Sequence, residues 1–167
     1  MNDHIRGKVW KFGDNINTDI ISPPQYMELS IEDAAQYCMS AVNSVFAAQV
    51  RVGDIFVAEN NLGSGSSRET SPLTLKHLGI QAVVACSFAR IFYRNCINLG
   101  IPAITTPQAN EIRQGDELVV DITHGEIKNI TQGTVYQCTK LPDNIMEMIR
   151  EGGLVNYLKK IGANHAN

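Results

Sequence analysis

The chain has 167 residues and a formal net charge of −3 at pH 7, with 44% hydrophobic and 19% charged residues. This balance is typical of a folded globular protein and excludes a disordered polyelectrolyte. No basic run favours nucleic acid, and no stretch reaches the ~18 apolar residues of a membrane helix. The first residues lack the apolar run of a signal peptide, so the sequence predicts a cytoplasmic protein with one domain over residues 1–167.

The first third of the chain predicts a strand, a long loop and a helix. Residues 8–12 alternate in a way that favours a strand, and the Pro-containing segment 13–25 is expected to be a loop. Ser30 and Asp33 have the spacing of a capping box. A helix is therefore predicted from residue 31 to about residue 42.

The centre of the chain alternates short apolar strands with helices. The predicted strands are residues 54–58, 82–85 and 102–104, and the predicted helices are residues 71–78 and 88–99. Gly79 and Gly100 end the two helices, and Ser87 is expected to cap the second one. The apolar stripe of that second helix is predicted to contain Phe88, Ile91, Phe92 and Leu99. Such an alternation is the pattern of right-handed parallel β-α-β units.

The last third of the chain has a different pattern. Short strands are predicted at residues 117–121, 126–130 and 134–139, and closing helices at residues 143–150 and 154–160. Glycine-containing breaks between the strands indicate hairpins. Together with the parallel units, this mixture suits an α/β protein with a three-layer β/β/α arrangement.

The cysteines do not form a ligand set. They are Cys38, Cys86, Cys96 and Cys138, and none lies in a Cys-x-x-Cys pair. Reduced thiols are expected, and the apolar run before Cys86 predicts a buried core thiol there. Because an iron–sulfur cluster needs several thiolates brought together, we predict no metal or cofactor on this chain.

Residues 60–72 carry the strongest functional signal, in the order Asn-Asn-Leu-Gly-Ser-Gly-Ser-Ser-Arg-Glu-Thr-Ser-Pro. The two glycines allow a sharp bend, and the loop leads into a helix whose N-terminus favours anions. The glycines are not followed by Lys-Ser/Thr, so a nucleotide P-loop is disfavoured and a carboxylate is the expected ligand.

Two further motifs complete a pattern. Residues 13–22 read Gly-Asp-Asn-Ile-Asn-Thr-Asp-Ile-Ile-Ser, and residues 87–98 read Ser-Phe-Ala-Arg-Ile-Phe-Tyr-Arg-Asn-Cys-Ile-Asn. The order and spacing of the three motifs resemble the small subunit of 3-isopropylmalate dehydratase and, more broadly, the swivelling domain of the aconitase superfamily. The likeness runs from about residue 7 to residue 158. It implies the β/β/α fold of that swivelling domain.

The resemblance also implies roles for four residues. Ser66 corresponds to the serine whose alkoxide is the catalytic base, and Arg68 to the residue that binds a substrate carboxylate. Ser67 and Asp19 would bind substrate or orient the loop. Each of three residues also has a purely structural alternative. These are a helix cap for Ser66, an ion pair of Arg68 with Glu69 or another acid, and an Asx turn for Asp19.

The family likeness implies half of a hydro-lyase. A large subunit, encoded separately, would carry a [4Fe-4S] cluster as the Lewis acid, and the substrate would be a small alkyl-malate. Related dehydratases that act on dimethylmalate, citraconate or homoaconitate are alternatives of the same class. A carboxylate-binding domain without catalytic activity is the alternative of another class.

The sequence departs from the family pattern in three places. Asn17 stands where an acidic residue is common, and Thr70 where a histidine often follows. The third departure is the loop that reads the variable arm of the substrate, Tyr26-Met27-Glu28-Leu29. It lacks the arginine of homoaconitase-type subunits, and Glu28 would repel an extra carboxylate, so an apolar arm is predicted. The loop does not match the usual isopropylmalate pattern closely either.

Arg90 and Arg94 lie one helical turn apart in the third motif and would form a basic face. We expect a structural role for both.

Overall fold

The computed structural model describes residues 4–165 of the chain. Seven strands form one mixed sheet in the order β4-β3-β2-β1-β5-β6-β7. The strands are β1 His4–Lys11, β2 Ile55–Val57, β3 Ala82–Ala85, β4 Ala103–Thr105, β5 Glu117–Asp121, β6 Glu126–Asn129 and β7 Thr134–Gln137. Strands β1 to β4 are parallel to one another, whereas β5, β6 and β7 continue from β1 as antiparallel neighbours.

Within residues 4–165, seven α-helices and two 3-10 turns connect and cover the sheet. The helices are α1 Thr18–Ile21, α2 Ile31–Ala35, α3 Phe46–Gln49, α4 Thr70–His77, α5 Arg90–Asn98, α6 Asp143–Arg150 and α7 Leu154–His165. The 3-10 turns are Pro24–Tyr26 and Pro107–Glu111. Among the described residues, none of these helices is both long and apolar enough to cross a membrane.

The sheet is built as its sequence predicts. Strands β2 and β3 are buried at every position, as expected for parallel strands covered on both faces. Strand β5 alternates buried and half-buried side chains, which is the pattern of a strand with one face on the core. The parallel units and the C-terminal hairpins confirm the α/β class.

Helix α2 is shorter than predicted. Ser30 Oγ does accept from the Asp33 N–H at 3.2 Å, as a capping box requires. The helix nevertheless ends at Ala35, since the N–H groups of residues 36–38 donate to carbonyls three residues back rather than four, and Met39 then takes the left-handed conformation with φ +63°. The Met39 N–H donates instead to the carbonyl of Ile21 at 3.1 Å. A tertiary hydrogen bond to α1 thus replaces the predicted continuation.

Two details of the α5 region also differ from the prediction. Ser87 does not cap the helix, which begins at Arg90 without a side-chain cap. Ser87 Oγ accepts instead from the backbone N–H of Asn61 at 2.8 Å. Ile91, predicted to lie in the apolar stripe, is 48% exposed, whereas Phe92 is 2% exposed.

A glycine allows the loop after β2 to pack against α5. Gly63 has φ +88°, and a Cβ built on it would lie 2.1 Å from Phe92 Cγ. We therefore expect Gly63→Ala to lower the free energy of unfolding by about 1–3 kcal/mol through overpacking, with a further ~1–2 kcal/mol from the left-handed backbone. Urea unfolding of the purified chain measures the change.

Gly133→Ala is the matched control for this substitution. Gly133 has φ +70°, and its added Cβ would meet nothing within 4 Å. Gly133→Ala therefore has the energetic cost of the left-handed backbone but no steric clash. Equal midpoints for the two variants would show that the contact with Phe92 does not limit this loop.

Candidate active site

Three loops meet where the parallel strands end. The loop after β2, residues 58–69 and here called the serine loop, lies between the loops that follow β1 and β3. The Gly63 N–H donates to Ile16 O at 2.7 Å, and the Leu62 N–H donates to Ser87 O at 3.0 Å. Because the carboxyl ends of parallel strands meet at one edge, side chains from all three motifs come together there.

A second glycine lets the serine loop lie close to α1. Gly65 has φ +99°, and a Cβ there would lie 3.4 Å from Thr18 Oγ1. The Thr18 N–H also donates to Ser64 O at 2.9 Å. Asn17 fixes α1 itself, since its side chain caps the helix by accepting from the Ile20 N–H at 2.8 Å.

Ser66 lies in the serine loop before α4 and does not cap that helix. Its Oγ accepts from the backbone N–H of Arg68 at 3.3 Å, while α4 begins at Thr70 with no side-chain cap. Within residues 4–165, the N–H groups of Ser66 and Ser67 have no acceptor. Unpaired N–H groups beside a hydroxyl are donors that an anion can use.

Arg68 connects two of the predicted site residues. Its Nη2 lies 3.2 Å from Asp19 Oδ1, and its Nη1 contacts Met27 Sδ. The Arg68 side chain is 30% exposed and the Asp19 side chain 52% exposed. Both groups can therefore reach a ligand from solvent, and in this structure the guanidinium is paired with the carboxylate. The alternative of an ion pair with an acid is thus realised by Asp19 rather than Glu69.

The loop predicted to read the substrate arm lies next to Arg68. Tyr26 stacks on Tyr37 with ring centroids 3.7 Å apart and an angle of 7° between the planes. Met27 and Leu29 are 43% and 42% exposed, and Glu28 is also exposed. The contact between Met27 and the Arg68 guanidinium joins this loop to the serine loop.

Sequence reasoning missed two residues that support the site. Asn95 of α5 donates through Nδ2 to Ser67 O at 3.3 Å, which ties the serine loop to the helix. The available signal was its place in the motif at residues 87–98. Thr18 is 3% exposed, and its Oγ1 is a buried polar atom without a partner among the described residues.

The cysteines do not fit an iron–sulfur cluster. All four are free. Burial raises the pKa of the Cys38 thiol to about 12 and that of Cys138 to about 11, and it raises the pKa of Cys96 as well. Cluster ligands are thiolates, which such burial disfavours. Cys86, predicted to be a buried core thiol, is only half-buried, with its Sγ 3.6 Å from Pro107 O. In the described part of the chain, no group of three or more His, Cys, Asp or Glu side chains is placed to hold a metal ion.

Comparison with known proteins identifies one family. The profile of the aconitase C-terminal domain matches residues 11–109. This range contains the serine loop, α1 and α5, and therefore every residue discussed above around Ser66.

Individual relatives extend the match to nearly the whole chain. The 3-isopropylmalate dehydratase small subunit 1 of Thermotoga maritima is 48% identical over 95% of this chain and 97% of the relative. The methanogen homoaconitase small subunit of Methanothermobacter thermautotrophicus is 47% identical over 96% of this chain and 95% of the relative. The crystal structure of 3-isopropylmalate dehydratase from Methanocaldococcus jannaschii superimposes with a TM-score of 0.93 at 39% identity, covering 98% of each chain.

Proposed function

This chain belongs to the aconitase C-terminal domain family, and we propose that it is the small subunit of a 3-isopropylmalate dehydratase. Such an enzyme interconverts 2- and 3-isopropylmalate by removing and re-adding water, a step of leucine biosynthesis. One observation carries the proposal: the serine loop holds Ser66 beside Arg68, and Arg68 forms an ion pair with Asp19 of the distant helix α1 at an exposed position. The four free cysteines suit a reducing compartment, so we place the protein in the cytoplasm.

Ser66 is the base in this proposal. Dehydration requires a proton to leave the carbon next to a carboxylate. Ser66 Oγ would accept that proton as an alkoxide and return it during rehydration. A serine is a poor base in water, so its anion must be stabilised by donors. The N–H of Arg68 already donates to this oxygen, and the free N–H groups of the serine loop lie beside it.

Arg68 binds a carboxylate of the substrate. The planar guanidinium suits bidentate pairing with a carboxylate. In this structure the guanidinium forms an ion pair with Asp19, and the substrate would compete with Asp19 for the guanidinium. Ser67 contributes its hydroxyl and N–H to the substrate, with its carbonyl held by Asn95.

The large subunit supplies what this chain does not. The departing hydroxyl needs a Lewis acid, which an iron–sulfur cluster can supply. The buried cysteines of this chain are poor ligands for such a cluster. We therefore place a [4Fe-4S] cluster on a partner large subunit. That assignment requires the serine loop to face the partner in the assembled enzyme.

Reconstitution tests the proposed function directly. We expect the chain alone to be colourless after anaerobic incubation with iron and sulfide, and to be inactive on 2- and 3-isopropylmalate. Together with the cluster-bearing large subunit from the same genome, it should interconvert the two. Visible iron–sulfur absorbance in stoichiometric amount on the isolated chain would contradict this, as would an inactive assembled pair.

The loop at residues 26–29 favours isopropylmalate over a tricarboxylate. Overall sequence identity does not decide between the two substrates, because a dehydratase small subunit and a homoaconitase small subunit are 48% and 47% identical to this chain. Met27 and Leu29 present apolar surface, while Glu28 presents a negative charge. A charged arm would meet a like charge, whereas neighbouring alkyl groups differ by only ~1–3 kcal/mol. Dimethylmalate and other small alkyl-malates are therefore expected as weaker substrates.

A charge reversal in this loop tests the specificity. Glu28→Arg should raise kcat/KM for homoaconitate relative to isopropylmalate, by about tenfold or more, because it replaces a repulsive charge with an attractive one. The ratio of the two kcat/KM values is the measurement. Glu32→Arg makes the same change in charge at another exposed glutamate and should leave the ratio unaltered. A wild-type preference for the tricarboxylate would show that Glu28 does not face the substrate arm.

A further inference from the structure

Helix α5 turns an unpaired basic face towards solvent. Arg90 and Arg94 are both exposed, and neither has an ion-pair partner among the described residues. Ile91 lies beside them and is 48% exposed. The structural role expected for the two arginines therefore has no contact to support it. Arg90, Ile91 and Arg94 therefore place two positive charges beside an exposed apolar side chain.

An apolar groove borders this face on one side. It has a volume of about 360 Å³ and is lined on the α5 side by Arg90, Tyr93, Arg94, Ile97 and Asn98, and on the α6 side by Pro142, Ile145 and Met148. Most of these lining side chains are apolar, and the two arginines stand at the groove as its charged groups. We call the exposed Arg90, Ile91 and Arg94 together with this groove the α5 surface.

The catalytic loop borders the same helix on the other side. Asn95, the residue after Arg94, donates to Ser67 O at 3.3 Å. Immediately before α5, Phe88 forms a parallel bridge with Leu62 of the serine loop. The α5 surface is therefore continuous with the region that holds Ser66, and a partner that covers the serine loop has this helix next to it.

We propose that the α5 surface docks the large subunit, through a segment that places an apolar side chain in the groove and carboxylates against Arg90 and Arg94. The inference rests on the proposed function, which requires a partner over Ser66. Apolar anchors surrounded by charges are the usual composition of a specific interface. Unpaired arginines complement an acidic segment, and such pairs also accelerate association. The partner chemistry is thus an acidic and apolar segment, rather than a nucleic acid or a membrane.

Charge reversal on α5 is the experiment. The double variant Arg90→Glu/Arg94→Glu should raise the dissociation constant for the purified large subunit on the order of 10²-fold. The constant is measured anaerobically by biolayer interferometry. Binding of the wild type should weaken with added salt, and the double variant should lose most of that dependence. Ile91→Ser should weaken binding more modestly and leave the salt dependence in place.

Matched controls separate docking from other effects. Arg51→Glu/Lys128→Glu makes the same change in net charge at exposed positions outside the α5 surface and should bind as the wild type does. Because α5 also supports the serine loop, kcat at saturating large subunit provides a second readout. A docking defect is overcome by excess large subunit, whereas a displaced catalytic loop is not. Circular dichroism and urea unfolding establish that each variant is folded.

The outcomes distinguish the two proposals. If the wild type binds the large subunit and the reversed variant binds equally well, the α5 surface is not the docking site and the proposed function stands. If a kcat defect persists at saturating large subunit without a change in affinity, the arginines act on the serine loop and the docking proposal is wrong. An arginine-dependent dimer of the isolated chain would also overturn it, with a second copy as the occupant. A wild-type chain that does not bind the large subunit would contradict the proposed function itself.

Discussion

Replacing Ser66 with alanine is expected to lower kcat of the assembled enzyme by about 10²–10⁴-fold, with a much smaller change in KM. The substitution removes the only atom of this side chain that accepts a proton. It leaves the loop conformation in place, because the glycines on its N-terminal side and the backbone contacts to α1 do not involve Ser66 Oγ. Steady-state kinetics on both isopropylmalate isomers measure the effect.

The proposed role of Ser66 as a base is supported by the donors close to it in the serine loop. Its hydroxyl accepts from the Arg68 N–H at 3.3 Å, and the N–H groups of Ser66 and Ser67 have no acceptor within residues 4–165. In the proposed role, such donors would stabilise an alkoxide more than a neutral hydroxyl. Closure of the large subunit over the site would strengthen them by excluding water.

Ser64→Ala is the matched control for this prediction. Ser64 lies two residues earlier in the same loop, and its only hydrogen bond within residues 4–165 is through its carbonyl, which accepts from the Thr18 N–H at 2.9 Å. Loss of the side chain there should leave kcat unchanged. If Ser66→Ala keeps kcat within a few-fold of the wild type, Ser66 has only a structural role in the loop.

Much of the fold follows from the sequence because its determinants are local. Periodicity and turn glycines predict the strands of the parallel half and the C-terminal hairpins, and the observed β5 and α6 have the predicted bounds. The positive φ angles of Gly79 and Gly100 agree with their predicted positions at helix ends. These signals lie within a few residues of the element that they specify.

The errors have a common physical cause. The helical run after residue 31 does not reach residue 42 because the Met39 N–H bonds to Ile21, and Ser87 fails to cap α5 because its hydroxyl accepts from Asn61. In each case a partner distant in sequence takes a group that a local rule assigns elsewhere. Ile91 is similar, since whether an apolar position on a helix is covered depends on neighbours that the helix pattern does not contain.

The candidate site divides in the same way. The loop motif predicts a carboxylate ligand, and the family resemblance of the motifs names Ser66 as the base and Arg68 and Asp19 as substrate-binding residues. Their arrangement depends on the glycine turns of the serine loop, on the contact of Gly65 with α1 and on the ion pair between Arg68 and Asp19. Nothing in the local sequence pairs residues 19 and 68. Only the ends of adjacent parallel strands bring them together.

The second large effect is predicted for Arg68, the partner of Asp19 in this ion pair, and it concerns the affinity for substrate. Arg68→Lys is expected to raise KM for isopropylmalate by roughly 10- to 100-fold, since a charged hydrogen bond is worth about 1.5–3 kcal/mol and an ammonium cannot form the bidentate pair. The lysine keeps the charge, so the change isolates the fork geometry of the guanidinium. Because Arg68 is 30% exposed and bonded to Asp19 at 3.2 Å, its loss should cost the fold little.

Steady-state KM and kcat of the assembled Arg68→Lys enzyme are the measurement, with Arg51→Lys as the matched control at an exposed arginine outside the site. The control should keep the KM of the wild type. Arg68→Ala removes the charge as well and should raise KM further, because both oxygens of the substrate carboxylate then lose their donor. An unchanged KM in Arg68→Lys would remove Arg68 from the carboxylate role and leave the ion pair with Asp19 as its function. A large loss of kcat with KM intact would instead assign Arg68 to the stabilisation of the Ser66 alkoxide, whose oxygen already accepts from the Arg68 backbone.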